Sequence, residues 1–207
     1  MSKHSPCILI VEDIPNILDY LTVTLRFHGY TVISAHNGEE ALQAIEQYRP
    51  DLVITDILMP KMDGFALAHI LRGNPATEAV PIVFLSATYT SSADRDFALR
   101  IGAEHFIEKP VDTENLLLTI GEILASSAAS SRNVLDDHTF YLGYRERLQN
   151  KLIHKDAQIA RTERLLQTLP DEQKPAFQSL LEESLKEREI IQAELEQVQH
   201  KLGNTKS

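Results

Sequence analysis

Asp51-Leu52-Val53-Ile54-Thr55-Asp56-Ile57-Leu58-Met59-Pro60-Lys61-Met62-Asp63-Gly64 is the stretch that decides the fold. Leu52–Thr55 is a short apolar, β-branched run stopped by an aspartate, as in a strand buried on both faces. Met59 and Met62 read as packing around the following loop. Asp63-Gly64 reads as a turn before a helix, and Phe65–Arg72 continues with helical spacing.

The same alternation extends in both directions. Cys7–Val11, Thr31–Ala35, Ile82–Leu85 and His105–Ile107 are further strand-like runs. Between them lie helical stripes: Ile17, Leu18, Leu21, Leu25, then Ala41, Leu42, Ile45, Tyr48, then the segments Ala93–Ile101 and Glu114–Leu124. Strands separated by helix-length segments imply a parallel sheet covered on both faces. Five of each predict a flavodoxin-like doubly wound α/β domain over residues 5–125.

Composition narrows the function. Residues 1–135 carry 9 Lys/Arg against 17 Asp/Glu, a balance of −8, and residues 136–207 carry 11 against 13, a balance of −2. Neither part is a basic patch, so a nucleic-acid partner is not expected. Cys7 is the only cysteine and sits in an apolar run, so it reads as a buried thiol. The run Cys7–Val11 stops at Glu12-Asp13, too short for a secretory signal. No stretch approaches the roughly 20 apolar residues that span a bilayer, so no membrane insertion and a cytoplasmic location are expected.

Ligands of open α/β sheets bind at the carboxyl ends of the strands. Glu12 and Asp13 end the first strand, Asp56 the third and Ser86 the fourth, and Lys109 lies just past the fifth. Three carboxylates gathered there repel one another unless a cation sits among them, and a hard cation with oxygen ligands and retained waters is Mg2+ by preference. A metal and the Lys109 ammonium beside a carboxylate nucleophile supply the charge neutralisation that phosphoryl transfer needs. Ser86 could hydrogen-bond a phosphoryl oxygen. A haloacid-dehalogenase-type phosphatase would need an aspartate where Leu58 stands, and no flavin or Walker phosphate loop is present.

Ile8–Asp13 as I-L-I-V-E-D, Asp51–Gly64 as quoted, Ser86-Ala87, and Gly102–Pro110 as G-A-E-H-F-I-E-K-P together resemble the receiver domain of bacterial response regulators. The resemblance covers about residues 5–125. It implies that Asp56 is the phospho-acceptor and that Glu12, Asp13, Asp56 and the Leu58 backbone carbonyl bind Mg2+. It also implies that Ser86 and Lys109 contact the phosphoryl group, and that the bond before Pro110 is cis. Phe106 matches the family's switch aromatic, which turns inward when Ser86 is drawn toward phosphate. Its plainer reading is a core aromatic at a strand end. Glu12 stands where many members have Asp, and the longer carboxylate still reaches a metal through water.

Beyond residue 125 the pattern changes. Ala125–Ser131 is small and polar, and residues 126–135 read as a linker. Residues 136–203 carry no strand signal. One stripe runs Tyr141, Leu148, Leu152, Ile159, Leu166, Leu169, skipping Arg145, Lys155 and Thr162. A second runs Phe177, Leu181, Ile191, Leu195, Val198, Leu202, with Ser184 and Arg188 as polar steps. These suit a coiled-coil seam, and Leu169-Pro170-Asp171-Glu172 breaks it into an antiparallel two-helix hairpin, with Asp171 a candidate N-cap.

The whole reads as a two-component response regulator accepting a phosphoryl group on Asp56 from a sensor histidine kinase or phosphotransfer protein. It would signal through a coiled-coil module that forms a homodimer or binds a downstream protein, without DNA-binding output. Its only chemistry would be its own phosphorylation and dephosphorylation. Two alternatives stay open: a hairpin acting as a histidine phosphotransfer element through His154 or His200, and a constitutive scaffold.

Overall fold

The computed structural model describes residues 5–87, 91–126 and 135–204. The chain separates into two compact units, Met1–Leu135 and Asp136–Ser207. Most of the expected linker, residues 127–134, lies outside the described residues.

In the first unit, β1 (Cys7–Val11), β2 (Thr31–Ala35), β3 (Leu52–Asp56), β4 (Ile82–Ser86) and β5 (His105–Glu108) alternate with α1 (Pro15–Phe27), α2 (Gly38–Tyr48), α3 (Gly64–Gly73), α4 (Ser92–Arg100) and α5 (Thr113–Ala125). All pairings are parallel and the strand order is β2-β1-β3-β4-β5. This is the flavodoxin-like doubly wound order, and the direction in which successive strands are added reverses at the β1/β3 boundary.

The three central strands β1, β3 and β4 are buried at every position, which explains their near-continuous apolar sequence. The period of two divides them between faces. Ile8, Ile10, Leu52, Ile54, Val83 and Leu85 pack with Leu18, Leu21 and Leu25 of α1 and Leu116 and Ile120 of α5. On the other face Phe84 meets Phe65 of α3 edge-on at 5.2 Å, and Phe65 meets Phe97 of α4 at the same distance. The α2 stripe ends at Ile45: Tyr48, read as its last member, is 53% exposed at the helix terminus.

Helix starts follow their side chains. Pro15 opens α1, while Asn37, Asp63, Ser91 and Asp112 accept from backbone N–H groups in the first turns of α2, α3, α4 and α5. Arg72, at the end of α3, is 2% exposed. Its guanidinium donates to the carbonyls of Glu78 and Val80 before β4 and of Gly102 before β5. Gly102 has φ +92°, and a Cβ there would stand 2.6 Å from Arg72 Nε. One buried arginine therefore ties two loops, through three carbonyls, on the side of the sheet away from the carboxyl strand ends.

The second unit is a hairpin of α6 (Asp137–Thr168) and α7 (Lys174–Asn204). Lys201 donates to Tyr141 Oη at 2.9 Å and Arg188 to Asp156 at 2.6 Å, while Glu194 holds Tyr144 and Glu187 holds Lys155. Partners on α7 fall in number as those on α6 rise, so the helices are antiparallel. The α7 stripe is as expected: Ser184, Ile191, Leu195, Val198 and Leu202 are buried, and Phe177, Leu181 and Arg188 are half-buried. The α6 stripe differs at its start. Phe140 is 1% exposed and stacks on Tyr144 at 5.3 Å, whereas Tyr141 is only half-buried. Tyr141 instead carries the Lys201 ammonium over its ring at 4.9 Å. Helix α7 begins at Lys174, later than a cap at Asp171 would start it. Asp171 instead pairs with Lys174 Nζ at 2.5 Å, and Gln173 N donates to Pro170 O across the turn. Among the described residues no helix is long and apolar enough to cross a membrane.

Replacing Arg72 by Ala leaves the Glu78, Val80 and Gly102 carbonyls without this donor and opens a cavity. The variant is expected to lose about 3 kcal/mol of stability in the first unit. Urea unfolding followed by a probe in that unit checks this, and a loss below about 1 kcal/mol would show that the two loops hold without the arginine.

Candidate functional site

The parallel strands deliver Glu12, Asp13, Asp56, Ser86 and Lys109 to one edge of the sheet. Glu12 directly follows β1, where its N–H donates to Ala35 O at 3.0 Å, and it is fully buried. Asp13 follows it and is half-buried. Asp56 is the last residue of β3 and 7% exposed. Oxygens of Glu12, Asp13 and Asp56 all lie within 4.8 Å of one another.

Lys109 reaches the same point from the opposite side of β3. Its N–H donates to Ser86 O at 2.8 Å, and the Lys109–Pro110 bond is cis, as expected. Its Nζ lies 2.7 Å from Glu12 Oε2 and 3.1 Å from Asp56 Oδ2. Ser86 is 1% exposed and ends β4, one residue past Leu85, the register partner of Asp56. All five residues read from the sequence thus stand at one edge, and four of their side chains converge on one point.

Burial pushes the Asp56 carboxyl above its ordinary range, against the pull of Lys109 and of backbone N–H groups of Ile57 and Leu58. Burial likewise raises Glu12, with Asp56 adding to the rise and Lys109 opposing it. Lys109 itself is drawn down by burial, but Asp56 and Glu12 outweigh that and leave it raised. Two anions around one cation leave a net negative charge in a poorly solvated place. That is the donor set a hard divalent cation fits.

Several contributors were not legible from the sequence. Ile57 N donates to Asp56 Oδ1 at 2.8 Å, a backbone contact that no side-chain pattern announces. Leu58, read as a source of a carbonyl, also brings its N–H to Asp56. Gly64 was read only as turn chemistry. Its N donates to Ile57 O at 2.9 Å, and a Cβ on it would stand 2.3 Å from Asp56 O. Only glycine lets α3 start this close to the end of β3. Glycine at this position was visible; the close approach was not.

Phe106 on β5 is 7% exposed and is the register partner of Phe84. The Arg95 guanidinium of α4 lies over its ring at 5.3 Å and pairs with Glu108 at 2.7 Å. Beside Lys109 a groove of about 400 Å³ runs between α1 and the turn after β5, lined by Asn16, Ile17, Tyr20, Leu21, Pro110 and Val111. His154 and His200 are both exposed, on α6 and α7.

The family model for the response regulator receiver domain matches residues 8–121. The chain belongs to the response regulator receiver family. It is 38% identical over 118 residues to the protein PilH of Pseudomonas aeruginosa, covering 57% of this chain and 97% of that one. It is 34% identical over 139 residues to the probable transcriptional regulator ycf27 of Porphyridium aerugineum, covering 66% of this chain and 56% of the relative. The receiver match therefore spans nearly all of PilH but about half of ycf27. A crystal structure of a putative response regulator from Chloroflexus aurantiacus superposes with a TM-score of 0.57 at 34% identity, covering 59% of this chain and all of that one.

The site's electrostatics set a pH dependence. The folded chain keeps the Asp56 proton to higher pH than the unfolded chain, whose value is the ordinary 3.8. The stability linked to Asp56 is therefore present below pH 3.8 and lost as pH rises through the raised folded value. Asp56→Asn removes that loss. In metal-free buffer at neutral pH the variant is expected to unfold at a higher urea midpoint than the wild type, with the two converging in acid. A variant midpoint at or below wild type at neutral pH would show that the Lys109 pairing outweighs burial.

Proposed function

We propose that the chain is a response regulator that takes a phosphoryl group onto Asp56 from a sensor histidine kinase or a phosphotransfer protein. One observation carries the reading. A nearly buried carboxylate at a strand end lies 3.1 Å from a lysine ammonium and within 4.8 Å of two further carboxylates. A structural ion pair needs one carboxylate per lysine, and here two touch it while a third stands beside them.

Glu12, Asp13 and Asp56, with the Leu58 carbonyl, would hold Mg2+, which when bound supplies charge for the incoming phosphoryl oxygens. Asp56 attacks phosphorus through its carboxylate, forming an acyl phosphate as the bond to the donor's leaving group breaks. The Ile57 N–H at Asp56 Oδ1 holds the carboxylate in place for this. Lys109 pairs with the charge carried by the new phosphoryl group, and Ser86 donates to one of its oxygens. Water exclusion follows from the burial of Glu12 and Ser86. A protein donor presents its phosphohistidine across the groove beside Lys109, whose apolar lining of Ile17, Leu21 and Val111 suits a helical partner. No further chemistry is assigned: the chain is a signalling protein that catalyses only its own phosphorylation and dephosphorylation, in the cytoplasm.

The output is proposed to run through the hairpin as a dimerising or partner-binding module rather than through DNA. The near-neutral balance of residues 136–207 supports this, since a DNA reader needs a basic face. Phe106 and Ser86 are proposed as the switch pair, because the β4–β5 ladder joins their strand ends.

Incubation with a small phosphodonor and Mg2+ is expected to add one phosphoryl group to the wild type and none to Asp56→Asn, read by intact mass. An adduct that persists in Asp56→Asn would move the acceptor elsewhere. Lys109→Met is expected to slow the reaction at least tenfold, equivalent to about 1.4 kcal/mol of transition-state stabilisation.

A further inference from the structure

The hairpin is packed unequally along its length. Where α6 begins and α7 finishes, Phe140, Leu148, Ile191, Leu195, Val198 and Leu202 are buried. Toward the turn, the seam residues Leu166, Leu169, Phe177 and Leu181 are only half-buried. Leu165 and Leu180 beside them are 43% and 41% exposed. Between the two ends lies a polar stretch with the Lys155–Glu187 and Asp156–Arg188 pairs and the buried Thr162 and Ser184.

The half-exposed leucines share one flank. Lys155 Nζ bonds Gln158 Oε1 at 3.0 Å as well as Glu187, so Gln158 and Glu187 lie on the same side of the hairpin. Leu165 is seven residues after Gln158 and Leu180 seven before Glu187. Seven residues are about two turns, so both leucines fall on that side. The helices also differ in charge. Between Asp137 and Thr168, α6 carries 6 Lys/Arg and 4 Asp/Glu, a balance of +2. Between Lys174 and Asn204, α7 carries 4 and 6, a balance of −2.

We propose that a second copy of the chain covers this flank, turn end beside turn end. In the resulting four-helix bundle, α6 of each copy packs between its own α7 and the α7 of the other copy. Basic and acidic helices then alternate around the bundle, as charge complementarity requires. The two-fold axis makes the contact reciprocal: Leu165 of each copy meets the Leu180 side of the other. The half-buried Leu166, Leu169, Phe177 and Leu181 become the dry layer that two helices alone cannot make. This deepens the dimer reading of the hairpin and rests on it.

Light scattering on the full chain tests it. The wild type is expected at twice 23.3 kDa and the Leu165→Glu/Leu180→Glu double variant at 23.3 kDa. Ile153→Glu is expected to remain dimeric, because Ile153, though 64% exposed, precedes Leu165 by twelve residues and points about 120° away around α6. A dimeric double variant would overturn the assigned flank and leave the dimer reading standing. A monomeric wild type would overturn both. Where the double variant loses helicity by circular dichroism, cross-linking decides. In a Cys7→Ala background, Leu165→Cys and Leu180→Cys chains are mixed and oxidised. A mixed disulfide forming faster than either self-disulfide supports the reciprocal contact, and its absence overturns it.

Discussion

Two carboxylates share one ammonium at the carboxyl edge of the sheet, with a third carboxylate beside them. Lys109 Nζ is 2.7 Å from Glu12 and 3.1 Å from Asp56, with Asp13 close by. In water such charges would separate. Here the strands forbid it, because β1 and β3 are adjacent and in register, Val11 against Thr55. Glu12 and Asp56 are the next residues on each and cannot move apart without breaking the ladder. The central sheet thus sets the spacing of the charges, and its buried apolar faces hold them against repulsion. Removing Glu12 or Asp56 leaves Lys109 a single ion pair, so the excess negative charge is the feature that distinguishes this edge from a structural salt bridge.

That arrangement accounts for what could be read in advance. The central strands β1, β3 and β4 are short and nearly uniform in apolar character because both faces are covered, so their ends are visible in sequence. Once the ends are known, parallel topology alone brings Glu12, Asp13, Asp56, Ser86 and Lys109 to one edge. Contacts made by backbone atoms or by close approach are a different matter. The Ile57 N–H on Asp56 and the missing Cβ of Gly64 against Asp56 O depend on loop paths that side-chain identity does not encode. Arg72 shows the same limit. An arginine at a helix end is ordinarily solvated, and only the path of the loops before β4 and β5 turns three carbonyls toward it.

The hairpin was legible in outline and shifted in detail. A strict heptad from Tyr141 keeps one seam along a supercoil, whereas Phe140, Tyr144, Leu148, Ile159 and Thr162 drift across it. A nearly straight helix drifts by about 20° per heptad in this way, so Phe140 replaces Tyr141 at the start. Tyr141 is amphipathic and finds the Lys201 ammonium instead. The polar middle has a physical use. Lys155 with Glu187 and Asp156 with Arg188 pair in the observed register, and sliding the helices one turn in one direction would set Lys155 against Ile191 and Glu187 against Ile159. Such a layer lowers stability and fixes alignment.

If Asp56 is phosphorylated as proposed, any signal from it must pass through contacts that differ between the two states. Lys109 and Ser86 are joined by backbone, Lys109 N to Ser86 O at 2.8 Å, so a pull on either side chain is felt by both strand ends. Ser86 is the register partner of Glu108, and Glu108 holds Arg95 at 2.7 Å. Arg95 in turn covers the Phe106 ring. A displacement at the Asp56 cluster therefore has a short covalent and hydrogen-bonded route to a cation–aromatic contact on α4. That contact is worth about 1 kcal/mol where exposed, too little to resist a new charge-assisted hydrogen bond at Ser86. The Arg95 contacts on the α4–β5 surface are thus weakly held. The strands that place the carboxylates are buried at every position. On the proposed function, a rigid site beside a weakly held surface would let one phosphoryl group on Asp56 be reported outward without disturbing the sheet.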